Sequence, residues 1–245
     1  MKRILPLLSL LFSFPLFAQD DMEWKEASKE SQAYHAYRIK SSEPPYSITK
    51  IKGLIKKLKS NEDEDMVMDQ KVYLALSLRE KFTYHMLHGE SFSQNCDAMP
   101  PIQDEQKKIF AYVPDAFDEW AWSERQTKFL SSNRDSVIAL MKECITKTNR
   151  VGVNFKQAIL EINAREMIPF LIKIYNVNKK DHDILTVLMH LMKDNEYAPF
   201  MTSSSYKKLF GENSNYQEFL NYNKANEELI IKRATEFYNG NVAKN

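Results

Sequence analysis

The tightest grouping of chemistry-bearing side chains is Tyr84-His85-Met86-Leu87-His88-Gly89-Glu90, with Asp97 close behind. Two imidazoles at i, i+3 meet near one end of a helix when both lean the same way, and Glu90 supplies a third donor. His85, His88 and Glu90 are therefore a candidate transition-metal set. The spacing is not the HExxH of zinc proteases, whose histidines stand at i, i+4 with the glutamate between them. A plainer reading has His88 complement a helix C-terminal dipole and His85 sit at the edge of an apolar stripe, because no fourth ligand is identifiable. Beyond that metal, no cofactor is expected.

A second grouping, Asp118-Glu119-Trp120-Ala121-Trp122, sets carboxylates beside indoles, as sugar-cleaving sites do. Such sites hold two carboxyl groups roughly 5 to 10 Å apart. Adjacent helical residues point to different sides, so a partner for Asp118 or Glu119 has to come from elsewhere. An acidic first turn over a core tryptophan accounts for the same residues. The aromatic run through Phe92, Phe110, Tyr112, Phe117, Trp120, Trp122 and Phe129 implies a thick core or a recognition surface. Phe92, Phe117, Trp120 and Trp122 are the candidate binding residues. Cys96 and Cys144, the only two cysteines, are compatible with a disulfide, and Cys144 equally with a buried free thiol. His190, with Thr186 and Lys193, falls on the polar side of its helix, and His182 stands between Asp181 and Asp183; both are expected in solvent. His35 has no visible partner.

The elements that must position these residues read as helices. Phe155, Ala158, Ile159 and Ile162 repeat at i, i+3, i+4 and i+7, as do Ile168, Leu171, Ile172 and Tyr175, and then Ile184, Val187, Leu188 and Leu191. Each set is one apolar stripe, and the short polar breaks between them make neighbours antiparallel. Earlier in the chain, Ser47 is the expected N-cap of a helix carrying Ile48, Ile51, Ile55 and Leu58. Lys50, Lys52, Lys56, Lys57 and Lys59 line its other side, and Glu62 to Asp65 open the next helix, which runs to His88 with Gly89 as a left-handed stop. Helices are expected over Asp104–Val113, Asp115–Ser131 and Asp135–Lys147. After Pro199, three shorter ones follow, around Tyr206–Phe210, Tyr216–Leu220 and Asn223–Asn239.

Composition narrows the function classes. Residues 1–18 read as an export leader: Lys2 and Arg3, an apolar run to Phe17, and Ala18 before the cut. No later stretch is long and apolar enough to span a membrane. The chain holds 34 Lys and Arg against 33 Asp and Glu, and without the leader the balance turns slightly acidic, which argues against nucleic acid as a partner. Five glycines in 245 residues, far under a usual share of about 7 %, leave no GxGxxG, P-loop or GxSxG.

Ser136-Val137-Ile138 is followed 30 residues later by Glu166-Met167-Ile168, and each opens a helix with a partner behind it. That spacing, with Met167-Ile168-Pro169-Phe170-Leu171, resembles the first helix of HEAT-type repeats over residues 135–193. The residue after the apolar pair in the second helix departs from the pattern, since the usual arginine is missing at Asp183-Ile184-Leu185. The resemblance implies stacked helix pairs that build binding surfaces.

The expectation is thus an all-α protein of antiparallel helix pairs, an irregular HEAT-like α-solenoid or helical bundle. It comprises a leader (1–18) and one domain (19–245): a helix pair at 46–90, an aromatic region at 91–133, a regular core at 134–193 and C-terminal helices at 194–245. The expected function is a soluble, periplasmic or secreted interaction protein that binds a protein or peptide partner in the cell envelope without catalysis. The alternative is a metal-dependent or carboxylate-based hydrolase using the His85–Glu90 region.

Overall fold

The structure, a computed structural model, describes residues 26–94 and 100–242; the leader, Cys96 and Asp97 lie outside them. It is mostly helical, with four short strands among the described residues. None of the described helices is long and apolar enough to cross a membrane.

The three stripes read at residues 154–193 fold as α7 (Val153–Glu161), α8 (Ile168–Asn178) and α9 (His182–Asp194). Pro169 sits in the first turn of α8, where it removes no internal hydrogen bond. α9 is the centre of the molecule: every residue from His182 to Met192 is buried. It is enclosed by α7, α8, α10 (Ala198–Met201), α12 (Lys224–Val242) and strand β2 (Lys108–Phe110). In an open solenoid each repeat touches only its neighbours. Here β2, well before α9 in the chain, and α12, well after it, both pack on that one helix.

The N-terminal part adds α1 (Lys29–Arg38), capped by Ser28, and α2 (Ile48–Ile55). Ser47 precedes α2 in the left-handed region (φ 52°) and makes no side-chain cap bond. The long helix expected from Asp65 to His88 is two, α3 (Gln70–Leu74) and α4 (Leu78–Leu87). They part because Ser77 and Glu80 form a reciprocal capping box that starts a new helix. The acidic run does not open a helix either; Asn61 Oδ1 accepts from the N–H groups of Asp63 and Asp65 and folds the run into a turn. Gly89 is not left-handed. Its lack of a side chain is needed because a Cβ there would stand 2.8 Å from the carbonyl oxygen of Ala121.

The largest departure is at residues 104–121. Glu105–Lys107 is a single 3₁₀ turn leading into β2, which pairs antiparallel with β4 (Phe219–Asn221), Ile109 opposite Leu220. β1 (Ser91–Phe92) pairs with β3 (Trp120–Ala121). Helix resumes only at α5 (Glu124–Ser132), started by a Ser123–Gln126 capping box, and continues through α6 (Arg134–Thr148). α11 (Ser204–Phe210) and α12 match expectation, whereas the middle C-terminal helix is instead β4.

The other edge of β2 is covered by side chains of α9. His182 Nδ1, Thr186 Oγ1 and His190 Nε2, spaced at i, i+4 and i+8, meet the carbonyl oxygens of Lys108, Phe110 and Ala111 at 3.2, 2.8 and 2.7 Å. The stripe expected in solvent is therefore buried, and it satisfies a strand edge that would otherwise be unpaired.

Candidate functional site

A cleft of about 820 Å³ opens where the loop after β2 meets β3, α5 and α7. Phe117, Trp120 and Trp122 form its aromatic wall, Gln157 and Leu160 its α7 side, and Asp115, Asp118 and Glu161 its acidic rim. The three carboxylate residues are exposed. The loop is held in place by short-range bonds: Trp120 N–H donates to the Phe117 carbonyl at 3.0 Å, closing a turn in which Asp118 is left-handed (φ 53°). Gln157 Nε2 donates to the Pro114 carbonyl at 2.9 Å and to Asp115 Oδ1 at 3.3 Å, tying the loop to α7.

Each aromatic ring has a fixed orientation. Trp122 Nε1 donates to the His85 carbonyl at 2.7 Å, and Trp120 Nε1 reaches the Glu64 carbonyl at 3.5 Å. Phe117 meets Trp122 edge-on with centroids 5.6 Å apart. Phe92 packs edge-on against Trp120 at 5.9 Å and supports that ring from outside the cleft. Of the four aromatic residues picked out by the sequence, the structure thus brings three to one cavity and sets the fourth behind it.

Beneath the cleft lies the cluster expected to bind metal. His85 and Glu90 are fully buried and His88 nearly so. Gln126 joins them: its Oε1 accepts from the N–H groups of Glu90 (2.9 Å) and Ser123 (3.1 Å), and its Nε2 donates to His85 Nδ1 (2.9 Å) and the His88 carbonyl (2.8 Å). With Nδ1 an acceptor, His85 carries its proton on Nε2 and donates it to the Tyr73 hydroxyl at 3.1 Å. His88 Nε2 is 2.6 Å from the Met66 carbonyl. Glu90 accepts from Tyr84 Oη at 2.7 Å, from Ser123 Oγ at 2.6 Å and from the Arg125 guanidinium.

Electrostatics follow from this packing. Burial, with Arg125 and Lys81 near, pushes the His85 imidazole down to about 3, and burial lowers His88 as well. Burial would raise the Glu90 carboxyl, but Arg125, Ser123 and Tyr84 outweigh it and hold it below the ordinary carboxylate range. Both nitrogens of His85, His88 Nε2 and the Glu90 carboxylate are directed at protein groups, and no group of three or more His, Cys, Asp or Glu side chains suited to a metal ion occurs among the described residues. The neutral tautomer of His85, the Gln126 amide and the Glu90–Arg125 pair form a polar plug that fixes the β1–β3 ribbon, and with it Trp120 and Trp122.

A second buried charge cluster was not picked out from sequence. Arg38 on α1 pairs with Glu105 (2.7 Å) and Asp183 (3.0 Å), and the fully buried Lys156 on α7 pairs with Asp181 (2.6 Å) and Asp183 (3.5 Å). His35 Nδ1 lies 3.0 Å from Glu105, which gives it a partner after all. Burial works against the Asp183 anion, yet Arg38 and Lys156 keep its carboxyl low, while burial raises that of Asp181. Removing one member of such a network costs about 3–5 kcal/mol, since its partner is left as a buried lone charge. The cluster clamps α1, the turn before β2 and the starts of α7 and α9 together. Cys144 Sγ lies 3.7 Å from the Tyr46 hydroxyl; its expected partner Cys96 is outside the described residues.

For Gln126 and Glu80 the sequence does carry a local, short signal. Ser123-x-x-Gln126 and Ser77-x-x-Glu80 are both capping-box patterns. Nothing local marks Glu161 or Lys156, whose partners arrive from other helices. Comparison with protein-family models, curated proteins and solved structures gives no match to this chain.

Proposed function

We propose that the protein is an exported interaction protein that holds a short segment of a protein or peptide partner in the cleft walled by Phe117, Trp120 and Trp122, without reacting with it. The observation that carries this reading is the cleft itself: its volume of about 820 Å³ falls in the range of about 300–1,000 Å³ typical of ligand sites. Its aromatic wall is anchored from behind, Trp122 bonding the His85 carbonyl and Gln126 bonding the His85 ring. Rigid aromatic surface with a polar rim is the composition of binding hot spots. Helix pairs of HEAT-like pattern at residues 135–193 supply the platform, and the leader at residues 1–18 supports a place in the cell envelope.

Burial of His85 and Glu90 weighs against the hydrolase alternative, because a substrate would have to displace the Gln126 amide to reach His85, and Tyr84, Ser123 and Arg125 to reach the Glu90 carboxylate. The test is a calorimetric and tryptophan-fluorescence titration of the full chain with short synthetic peptides of basic, neutral and acidic composition, repeated with Trp120→Ala. Binding that weakens at least about tenfold in the variant supports the reading. If no peptide binds, or Trp120→Ala leaves binding intact, the cleft is not the recognition site.

A further inference from the structure

We infer that the cleft selects a cationic side chain, lysine or arginine, presented by an extended peptide; this rests on the peptide-binding reading above and specifies its chemistry. Three features point the same way. The described residues lining the cleft include three exposed carboxylates, Asp115, Asp118 and Glu161, and neither lysine nor arginine. The carboxylates come from two separate elements, the loop and the C-terminal end of α7, so the negative charge of the cleft is not confined to one segment. The indole N–H groups of Trp120 and Trp122 both point to backbone carbonyls, which leaves the rings to offer π surface and carbon edges instead of donors.

An aromatic wall under a carboxylate rim suits an alkyl stem that ends in a cation. The stem packs on the rings, the charge meets the ring faces, and the rim oxygens accept its hydrogen bonds. A neutral sugar fits less well. It needs donors as well as acceptors around its hydroxyls, and here both indole N–H groups are turned to backbone carbonyls and the Gln157 amide N–H donates to Pro114 and Asp115, so that Ser93 and Gln94 are the lining residues that could donate beside three carboxylates. An acidic segment is repelled by the rim.

The experiment titrates the full chain with pentalysine, pentaarginine, penta-asparagine, pentaglutamate and cellotetraose, at low salt and again at high salt. The basic peptides are expected to bind, to quench tryptophan emission and to weaken as salt rises. Penta-asparagine should bind at least about tenfold more weakly, and pentaglutamate and cellotetraose should not bind. Asp118→Asn combined with Glu161→Gln replaces two exposed carboxylates by isosteres, leaving melting unchanged. It should cost pentalysine about tenfold in affinity, as two screened ion pairs are lost, and cost penta-asparagine clearly less. Equal binding of basic and neutral peptides, or pentalysine binding unaffected by the double variant, overturns cation selection while peptide binding at Trp120 stands. Binding of cellotetraose alone, or of nothing, overturns both.

Discussion

His190 Nε2 donates to the carbonyl oxygen of Ala111 across 2.7 Å, joining the middle of α9 to the end of a strand that lies 79 residues away in the chain. Thr186 makes the same kind of bond one turn earlier, to Phe110 at 2.8 Å. Thr186→Val keeps the shape and deletes the donor, so the Phe110 carbonyl is left buried and unpaired. The expected loss is about 1–3 kcal/mol, measured by urea unfolding, with faster amide exchange in β2 and β4 than in α6.

The buried histidines set an acid limit. His85, His88, His182 and His190 are all lowered by burial, His85 from 6.5 to about 3. The unfolded chain therefore takes up protons before the folded one does, and stability is complete above the ordinary imidazole value. It declines as pH falls below about 6.5 toward 3, each imidazole contributing up to about 1.4 kcal/mol per pH unit. Urea midpoints between pH 7 and 4.5 should fall steeply, and His85→Asn should flatten the slope. A slope unchanged in the variant would mean that His85 is not held neutral.

Gln126 carries four bonds from one buried amide. Gln126→Leu is nearly isosteric and strands all four partners, for an expected loss of about 3 kcal/mol or more. Because those partners position Trp122 through the His85 carbonyl, near-ultraviolet circular dichroism should change while far-ultraviolet signal persists at low denaturant. Gln126→Glu, which keeps both acceptor contacts and loses both donor contacts, should be intermediate.

The few glycines are not matched by few left-handed residues. Ser47, Glu64, Asp104, Asp118, Asn149, Asn163, Lys179 and Glu196 all have positive φ. Glu196 (φ 51°) follows α9 and has neither the local side-chain hydrogen bonding that helps Asn nor the freedom of glycine. Glu196→Gly is expected to raise stability by about 0.5–1 kcal/mol, read as a higher melting temperature.

Helices α6 to α9 could be read from sequence because their apolar residues recur at helical spacing and the decision is made within one window. The region around β2 could not. Three residues hold no periodicity, and the partner of Ile109 is Leu220, far along the chain. The same distance misled the reading of His182, Thr186 and His190, which look like a solvent face until a strand's carbonyls are laid against them. At the site, the density of Phe117, Trp120 and Trp122 was visible, and so was Asp118 beside them. Glu161 was not, because its role comes from α7 turning toward the same opening. Gly89 was seen, but for the wrong reason: the chain needs its missing side chain, not its left-handed freedom.

The packing of α12 across α9 also sets an order of events during synthesis. A nascent chain exposes part of the apolar surface of α9 until residues 224–242 have been made and can pack on it. Native closure thus waits for residues 224–242 to emerge, and until then the growing polypeptide stays loose. A chain stopped at Tyr222 should remain open to proteases for its whole lifetime.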